Sequence, residues 1–147
     1  MLRGSHITQI DDKGRLKIPA GFRHTLVEKY SSQDFYMTSL DGESVWLYPI
    51  DEWVKKEEKL LELPSMETTV KKFLDRTSYY GQVVSMDVQG RMLVPAGLRD
   101  SANLQGEVIV FGYLTYLEIW CHEKFKARMA AEPFTVEDRQ GLARLGI

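Results

Sequence analysis

Two short segments of the sequence combine residue types that could recognise a phosphate or a nucleobase. The pattern Asp-x-x-Gly-Arg occurs twice, as Asp11, Gly14 and Arg15 and again as Asp87, Gly90 and Arg91. A carboxylate that enters a turn can accept backbone N–H groups, and glycine supplies the positive φ of a tight turn. Because the turn folds its ends together, the carboxylate can also accept from the arginine four residues later. A guanidinium held in this way suits bidentate contact with guanine O6 and N7 or with a phosphate.

A simpler explanation of each pattern is a turn closed by a surface ion pair, which is worth about 0–1 kcal/mol. For one copy alone, this explanation would be the better one. The second copy favours recognition, because a shared core requires equivalent strands but does not require equivalent arginines. Two further arginines, Arg23 and Arg99, follow the turns at equivalent positions. They could contact phosphates or be plain surface charge, and both possibilities stay open.

The two patterns lie within a longer internal repeat. Residues 10–23, IDDKGRLKIPAGFR, and residues 86–99, MDVQGRMLVPAGLR, share seven identities in fourteen positions at a constant spacing of 76 residues. The similarity continues into the flanking segments, so we predict two repeats, residues 1–76 and residues 77–147. The Pro-Ala-Gly triplet in each copy is explained by packing and by the geometry of a helix start, without any functional role.

The elements around each turn follow from the pattern of apolar residues. HITQID and QVVSMD predict strands that enter the turns, and RLKIP and RMLVP predict strands that leave them as hairpins. Proline then ends each second strand and begins a short helix, PAGFRHTLVEKY or PAGLRDSANL. Further hairpins are predicted with turns at Asp41-Gly42 and near Gly112. Helical segments complete each repeat. Pro64 is predicted to end the first of them, and a Thr135–Asp138 capping box to begin the last.

Half of a 147-residue chain makes a poor independent core, because small domains bury too little surface. We therefore predict that both repeats share one core, in an interleaved β-barrel or sandwich with helices packed outside. Most of that core is expected to come from the aromatic residues of the later hairpins: Phe35, Tyr36, Trp46, Tyr48, Phe111, Tyr113, Tyr116 and Trp120.

Composition and charge narrow the class of protein. The chain is 44% hydrophobic and 27% charged, which is typical of a soluble globular protein. It has no apolar run of about 18 residues and no apolar signal near its start, so we expect a cytoplasmic protein without a membrane partner. The single Cys121 excludes an intramolecular disulfide. A net charge of −2 argues against indiscriminate coating of nucleic acid, but a cluster of four cations between Lys13 and Arg23 could still bind phosphates.

Catalysis has little support in the sequence. The histidines, His6, His24 and His122, are not at metal-ligand spacing, and no recognised nucleophile, zinc or phosphate-loop motif is present. We therefore predict no catalytic residue, no metal, no cofactor and no small-molecule substrate.

The Asp-x-x-Gly-Arg turn occurs twice, and each copy runs into an apolar-Pro-Ala pattern. In these features the sequence resembles the MraZ family of bacterial transcriptional regulators, and the resemblance covers residues 1–147. The resemblance implies an α+β fold: a swapped-hairpin, AbrB/MazE-like β-barrel that the two repeats form as a pseudo-dimer, with peripheral helices. It also implies a nucleoid-associated homo-oligomeric ring. Such a ring would bind short direct repeats in double-stranded promoter DNA and repress the division and cell-wall gene cluster, including its own promoter.

When the roles of the family's residues are assigned to the matching positions of this sequence, the resemblance implies that the two turns bind DNA. The implied DNA-binding residues are Asp11, Lys13, Gly14, Arg15, Lys17, Asp87, Gly90 and Arg91. The second copy has Val88, Gln89 and Leu93 where the first has Asp12, Lys13 and Lys17, so we expect Arg15 to contribute most. The alternative is an antitoxin-like module that uses the same barrel to bind a protein. That function would need a disordered or amphipathic tail, whereas residues 122–147 have the signals of regular helices.

Overall fold

A computed structural model describes residues 1–64 and 66–147, and this part of the chain forms eight strands and six helices. The strands are β1 (Leu2–Ile10), β2 (Arg15–Lys17), β3 (Asp34–Thr38), β4 (Val45–Pro49), β5 (Gln82–Ser85), β6 (Arg91–Leu93), β7 (Gly106–Leu114) and β8 (Tyr116–Cys121). The helices are α1 (Ala20–Lys29), α2 (Ile50–Leu61), α3 (Thr68–Tyr79), α4 (Ala96–Ala102), α5 (His122–Ala131) and α6 (Val136–Arg144).

The strands form one antiparallel sheet in the order β5-β3-β4-β8-β7-β1-β2-β6, which curves into a nearly closed barrel. The barrel is interleaved, because pairs of neighbouring strands from one half of the chain alternate with pairs from the other half. β4 of the first half pairs with β8 of the second, and β1 pairs with β7 along its whole length. The predicted fold class, a swapped-hairpin α+β barrel with peripheral helices, is confirmed.

The strands that leave the two turns pair with each other. Leu16 of β2 lies opposite Met92 of β6, and these residues occupy the same position of the two repeats. The prediction that each turn closes its own two-stranded hairpin is confirmed for the first turn, where β1 and β2 are antiparallel neighbours, and was wrong for the second. β1 and β2 share only the Ile10–Leu16 pair, and β5 pairs with β3 instead of β6. Crossing to the other repeat lets the apolar face of each short strand enter the common core.

One hydrophobic cluster contains residues from both halves of the chain. Leu16 and Ile18 of the first copy and Met92 and Val94 of the second are fully buried in it. The prediction that the hairpin aromatics supply most of the core was wrong. Only one of the eight, Phe35, belongs to this mainly aliphatic cluster.

The other hairpin aromatics lie on the outer face of the sheet, because successive side chains of a strand point to opposite faces. Helices partly cover them. Trp53 of α2 stacks on Tyr36 with 4.6 Å between ring centroids, and Phe125 of α5 lies 4.4 Å from the ring of Phe111. The aromatic residues therefore attach the outer helices to the barrel.

Several predicted boundaries shift in the structure. The last hairpin turns at Leu114 and Thr115, not near Gly112, which lies inside β7. A Cβ on Gly112 would fall 2.5 Å from the backbone nitrogen of Arg3, so the glycine permits close approach of β1 and is not a turn residue. Helix α2 ends at Leu61, three residues before Pro64.

Two local predictions are confirmed. Gly42 has φ of +80° in the bend between β3 and β4. At the start of α6, the Asp138 N–H donates to Thr135 Oγ1 at 3.1 Å, and the Thr135 N–H donates to Asp138 Oδ2 at 2.9 Å. In the described ranges, none of the helices is long and apolar enough to cross a bilayer.

Candidate functional site

The first turn holds Arg15 through the carboxylate of Asp11. Asp11 Oδ1 accepts from the backbone N–H groups of Lys13 at 3.0 Å and of Arg15 at 2.8 Å. Asp11 Oδ2 accepts from Arg15 Nε at 2.6 Å. Gly14 has φ of +86°, the left-handed conformation that side chains disfavour. Within the described residues, no group accepts from the terminal nitrogens of Arg15, so its outer edge can contact a ligand.

The second turn reproduces this geometry with a longer ion pair. Asp87 Oδ1 accepts from the backbone N–H groups of Gln89 and Arg91, both at 2.9 Å. Asp87 Oδ2 accepts from Arg91 Nε at 3.3 Å, and Gly90 has φ of +78°. Both turns therefore have the carboxylate-held guanidinium that their spacing predicts.

The hydrogen bonds also stabilise the charged form of each carboxylate. The pKa of Asp11 is lowered below 3.8, chiefly by the backbone N–H of Arg15 and further by the Arg15 guanidinium. The pKa of Asp87 is lowered below 3.8, chiefly by the backbone N–H of Arg91. The arginines remain accessible, because 39% of the Arg15 side chain and 31% of the Arg91 side chain are exposed. At neutral pH each turn is thus a fixed ion pair whose cationic edge faces water.

Strands β2 and β6 bring the two arginines onto one outward face. Lys17 lies opposite Arg91, and Arg15 lies opposite Leu93. These four side chains alternate with buried Leu16 and Met92, so they point away from the core. Arg15 and Arg91 occupy diagonal positions of the antiparallel pair, which places their Cα atoms roughly 7–8 Å apart. The structure therefore joins Arg15, Lys17 and Arg91 into one cationic patch, and Lys13 is exposed beside it.

The patch is asymmetric between the two repeats. The first turn carries exposed Lys13 and is followed by exposed Lys17. The second turn has Val88 near its tip, with 92% of the residue exposed, and is followed by Leu93, which is 56% exposed. Charge is therefore concentrated on the first repeat, and exposed apolar groups lie on the second.

The two helix arginines have contacts that the sequence pattern did not predict. Arg99 of α4 lies over Gly14, and Arg23 of α1 lies over Gly90, so each one contacts the turn of the other repeat. Both side chains are only partly exposed. The equal spacing of the two arginines in the sequence indicated a shared role, but it contained no sign that the contacts cross.

The described residues contain no group of three or more His, Cys, Asp or Glu side chains that could hold a metal ion. The β2–β6 pair thus presents two ion-paired arginines and exposed lysines on its outer face, which suits binding of an anionic or acceptor-rich partner.

Comparison with known proteins identifies the same family that the sequence pattern indicates. The family described as "MraZ protein, putative antitoxin-like" matches residues 1–76 and 81–144. The chain belongs to the MraZ family. The family membership that the doubled turn predicts is therefore confirmed.

Three relatives in the MraZ family match this chain over their whole length. A protein of Acidobacterium capsulatum is 52% identical and one of Koribacter versatilis is 48% identical, each over 147 residues that cover 100% of both chains. A protein of Caldicellulosiruptor saccharolyticus is 38% identical, again with 100% of both chains covered. All three carry the name "Transcriptional regulator MraZ", which denotes a regulator and not a class of enzyme.

Proposed function

We propose that this member of the MraZ family is a sequence-specific DNA-binding transcriptional regulator that reads DNA with its two Asp-x-x-Gly-Arg turns. The observation that carries the proposal is the pair of carboxylate-held guanidinium groups, Arg15 and Arg91, on one exposed face of the β2–β6 pair. The names of the relatives support regulation of transcription, and the geometry supports direct contact with a nucleobase.

The chemistry of recognition follows from how the first turn uses its hydrogen bonds. Asp11 engages Arg15 Nε, which leaves the terminal nitrogens for a bidentate contact with guanine O6 and N7. A fixed guanidinium loses little conformational freedom on binding, and one such contact discriminates against a wrong base by about 1–3 kcal/mol. Lys13 and Lys17 are placed to contact phosphates, which position the protein without reading sequence. Arg91 supplies the equivalent contact from the second turn.

The small number of cations in the patch around the two turns favours a multivalent assembly. The net charge is −2, so a single subunit would bind weakly. We propose a ring of copies in which neighbouring subunits bind neighbouring direct repeats, so that each contact raises the effective concentration of the next. Repeats spaced by about 10 base pairs would place successive sites on one face of the duplex. The acidic stretch from Asp41 to Glu67 would face away from the DNA.

We propose the cellular role that the resemblance to the MraZ family implies. The ring would act on promoter DNA in the nucleoid and repress the division and cell-wall gene cluster, including the promoter of its own gene. The division of the chain into repeats 1–76 and 77–147 stays a prediction in the same way.

A protein partner is the second candidate, because the description of the matching family includes the words "antitoxin-like". Such a function would need a disordered or amphipathic tail that orders on binding the partner. In this chain the corresponding segment is already folded as α5 and α6, which argues for DNA as the primary ligand.

The direct test is a gel-shift assay with DNA from upstream of the chain's own gene, run beside light scattering to measure the mass of the particle. We expect binding to that fragment, no binding to a shuffled fragment of equal composition, and a mass of several chains. Equal binding to both fragments would contradict sequence-specific recognition. Purification with a stoichiometric protein and no DNA binding would favour the second candidate.

A further inference from the structure

The turn glycines are buried although the residues before them are exposed and the arginines after them are partly exposed, and an arginine from the opposite repeat covers each glycine. A Cβ built on Gly14 would fall 2.5 Å from Nε and 2.7 Å from Cζ of Arg99. A Cβ built on Gly90 would fall 2.8 Å from Cδ and 3.0 Å from Nε of Arg23. Both contacts are therefore possible only because glycine lacks a side chain, and they connect opposite halves of the chain.

Hydrogen bonds also link these two arginines to the turns of the opposite repeats. Arg23 Nη2 donates to the carbonyl oxygen of Val88, inside the second turn, at 2.7 Å. Arg99 Nε donates to the carbonyl oxygen of Val94 at 3.0 Å, and the N–H of Val94 donates to the carbonyl oxygen of Gly14 at 2.8 Å. Arg99 thus acts on the first turn both by direct packing and through one intervening residue.

These contacts restrict the part of each turn that sets the direction of its guanidinium. The glycine precedes the recognition arginine directly, so a rotation of the glycine backbone would swing Arg15 or Arg91 away from the outward face of β2 and β6. A planar guanidinium is large and weakly hydrated, which makes it effective at covering a backbone corner. The residues that restrict the glycine backbone therefore determine how precisely Arg15 and Arg91 are oriented toward a ligand.

We infer that Arg23 and Arg99 are positioning residues, each of which holds the recognition turn of the opposite repeat. The inference deepens the proposed function and rests on it, because the turns recognise a ligand only if they bind DNA as proposed. It joins the two turns into one unit, because neither repeat completes its own turn. It also assigns both helix arginines a role other than the phosphate contact or surface charge considered from the sequence.

The first test needs no DNA. Amide hydrogen exchange is measured on the full-length protein and on Arg99→Met, at the N–H groups of Lys13 and Arg15 in the first turn and of Gln89 and Arg91 in the second. We expect Arg99→Met to accelerate exchange in the first turn by about tenfold or more, the equivalent of ~1.4 kcal/mol, while the second turn stays near wild type.

Arg23→Met is the matched variant, and it should accelerate exchange in the second turn only. If either variant loosens the turn of its own repeat, or both turns equally, the crossed assignment is wrong. Circular dichroism checks that each variant is folded. If one of them is not, the other carries the same test on its own target turn.

The second test uses DNA and a double-mutant cycle. Arg99→Met should be non-additive with Arg15→Ala, since both disable the first turn, and additive with Arg91→Ala. Arg99→Lys should bind as weakly as Arg99→Met, because lysine keeps the charge but cannot cover Gly14 and donate to Val94 together. Recovery of binding in Arg99→Lys, with a salt slope one lower in Arg99→Met, would instead indicate a phosphate contact and overturn the inference.

The two tests separate the two possible failures. Loss of the crossed exchange pattern removes the positioning role even if DNA is bound. A crossed pattern in a protein that binds no promoter DNA removes the proposed function and leaves the structural coupling in place.

Discussion

Leu16 and Met92 lie directly opposite each other in the β2–β6 pair, and they are the same position of the two repeats. The pair therefore marks the pseudo-twofold axis of the chain. Both side chains point into the shared core, and the residues on either side of them, Arg15, Lys17, Arg91 and Leu93, point outward. The proposed DNA surface is the solvent side of the same two strands whose inner side closes the core.

Arg15→Ala is expected to weaken sequence-specific DNA binding strongly while the fold survives. The lost bidentate contact should cost about 1–3 kcal/mol per site, whereas the exposed Asp11–Arg15 pair contributes about 0–1 kcal/mol to folding. Gel-shift titration measures the affinity, and light scattering checks the particle mass. Arg139→Ala is the matched control, because it removes the same charge from exposed α6. An Arg15→Ala protein that binds like wild type would show that the turn does not read DNA.

Leu93→Lys should make the second repeat resemble the first, where Lys17 occupies the equivalent position. An added phosphate contact would tighten binding at low salt and steepen the dependence of log affinity on log salt by about 0.9. Titration between low and moderate salt measures the slope. Leu61→Lys, on an exposed position of α2, controls for the general effect of one added charge. An unchanged slope in Leu93→Lys would place Leu93 outside the DNA interface.

Gly14→Ala is expected to destabilise the protein and weaken DNA binding together. The alanine would have to keep φ of +86°, and its Cβ would fall 2.5 Å from Arg99 Nε. These effects together should exceed about 1 kcal/mol in the free energy of unfolding. Gly21→Ala is the control: Gly21 lies in α1, and its new Cβ would have nothing within 4 Å. That change should stabilise by about 0.5–1 kcal/mol. Chemical denaturation distinguishes the two variants, and equal effects would contradict the close packing of Arg99 over Gly14.

Leu16→Ala should unfold both repeats together. The side chain is fully buried in the cluster that the two halves share, so its removal should cost about 2–5 kcal/mol. Thermal unfolding followed by circular dichroism should show one transition at a lower temperature. Leu61→Ala, at a residue that is 85% exposed, should change the free energy of unfolding by less than about 0.5 kcal/mol. Two separate transitions in either protein would mean that the repeats do not share a core.

The two turns are expected to stabilise the folded protein less in acid than at neutral pH. The pKa of Asp11 and of Asp87 is lower in the folded protein than the ordinary value of 3.8, so their ionised forms stabilise the fold above that pH. This contribution disappears as the pH falls below about 3.8 and through the lowered values. Denaturation at pH 7, 5 and 3 should therefore show a steeper acid loss in wild type than in the Asp11→Asn, Asp87→Asn double variant. Asp12→Asn is the control, and parallel profiles for wild type and the double variant would contradict the prediction.

The site could be predicted from the sequence as far as its contacts are local. The Asp11 carboxylate, the Gly14 corner and the Arg15 guanidinium lie within five residues, and their types and order specify the hydrogen bonds that form. The same is true of the Thr135–Asp138 capping box. Interactions of this kind depend on neighbouring residues and on backbone sterics, so a short segment contains the information for them.

The relations between distant elements were decided only by the tertiary structure. β2 pairs with β6 along all three of its residues and shares only one pair with β1. Seven of the eight hairpin aromatics lie outside the barrel, and Arg23 and Arg99 cover the turns of the opposite repeats. Strands with the same alternation of apolar and polar residues can pair in several ways, and the choice depends on which pairing buries the most apolar surface in the whole chain. The amino-acid order thus specifies each turn, and only the packed barrel places the two turns side by side and holds each of them from the other repeat.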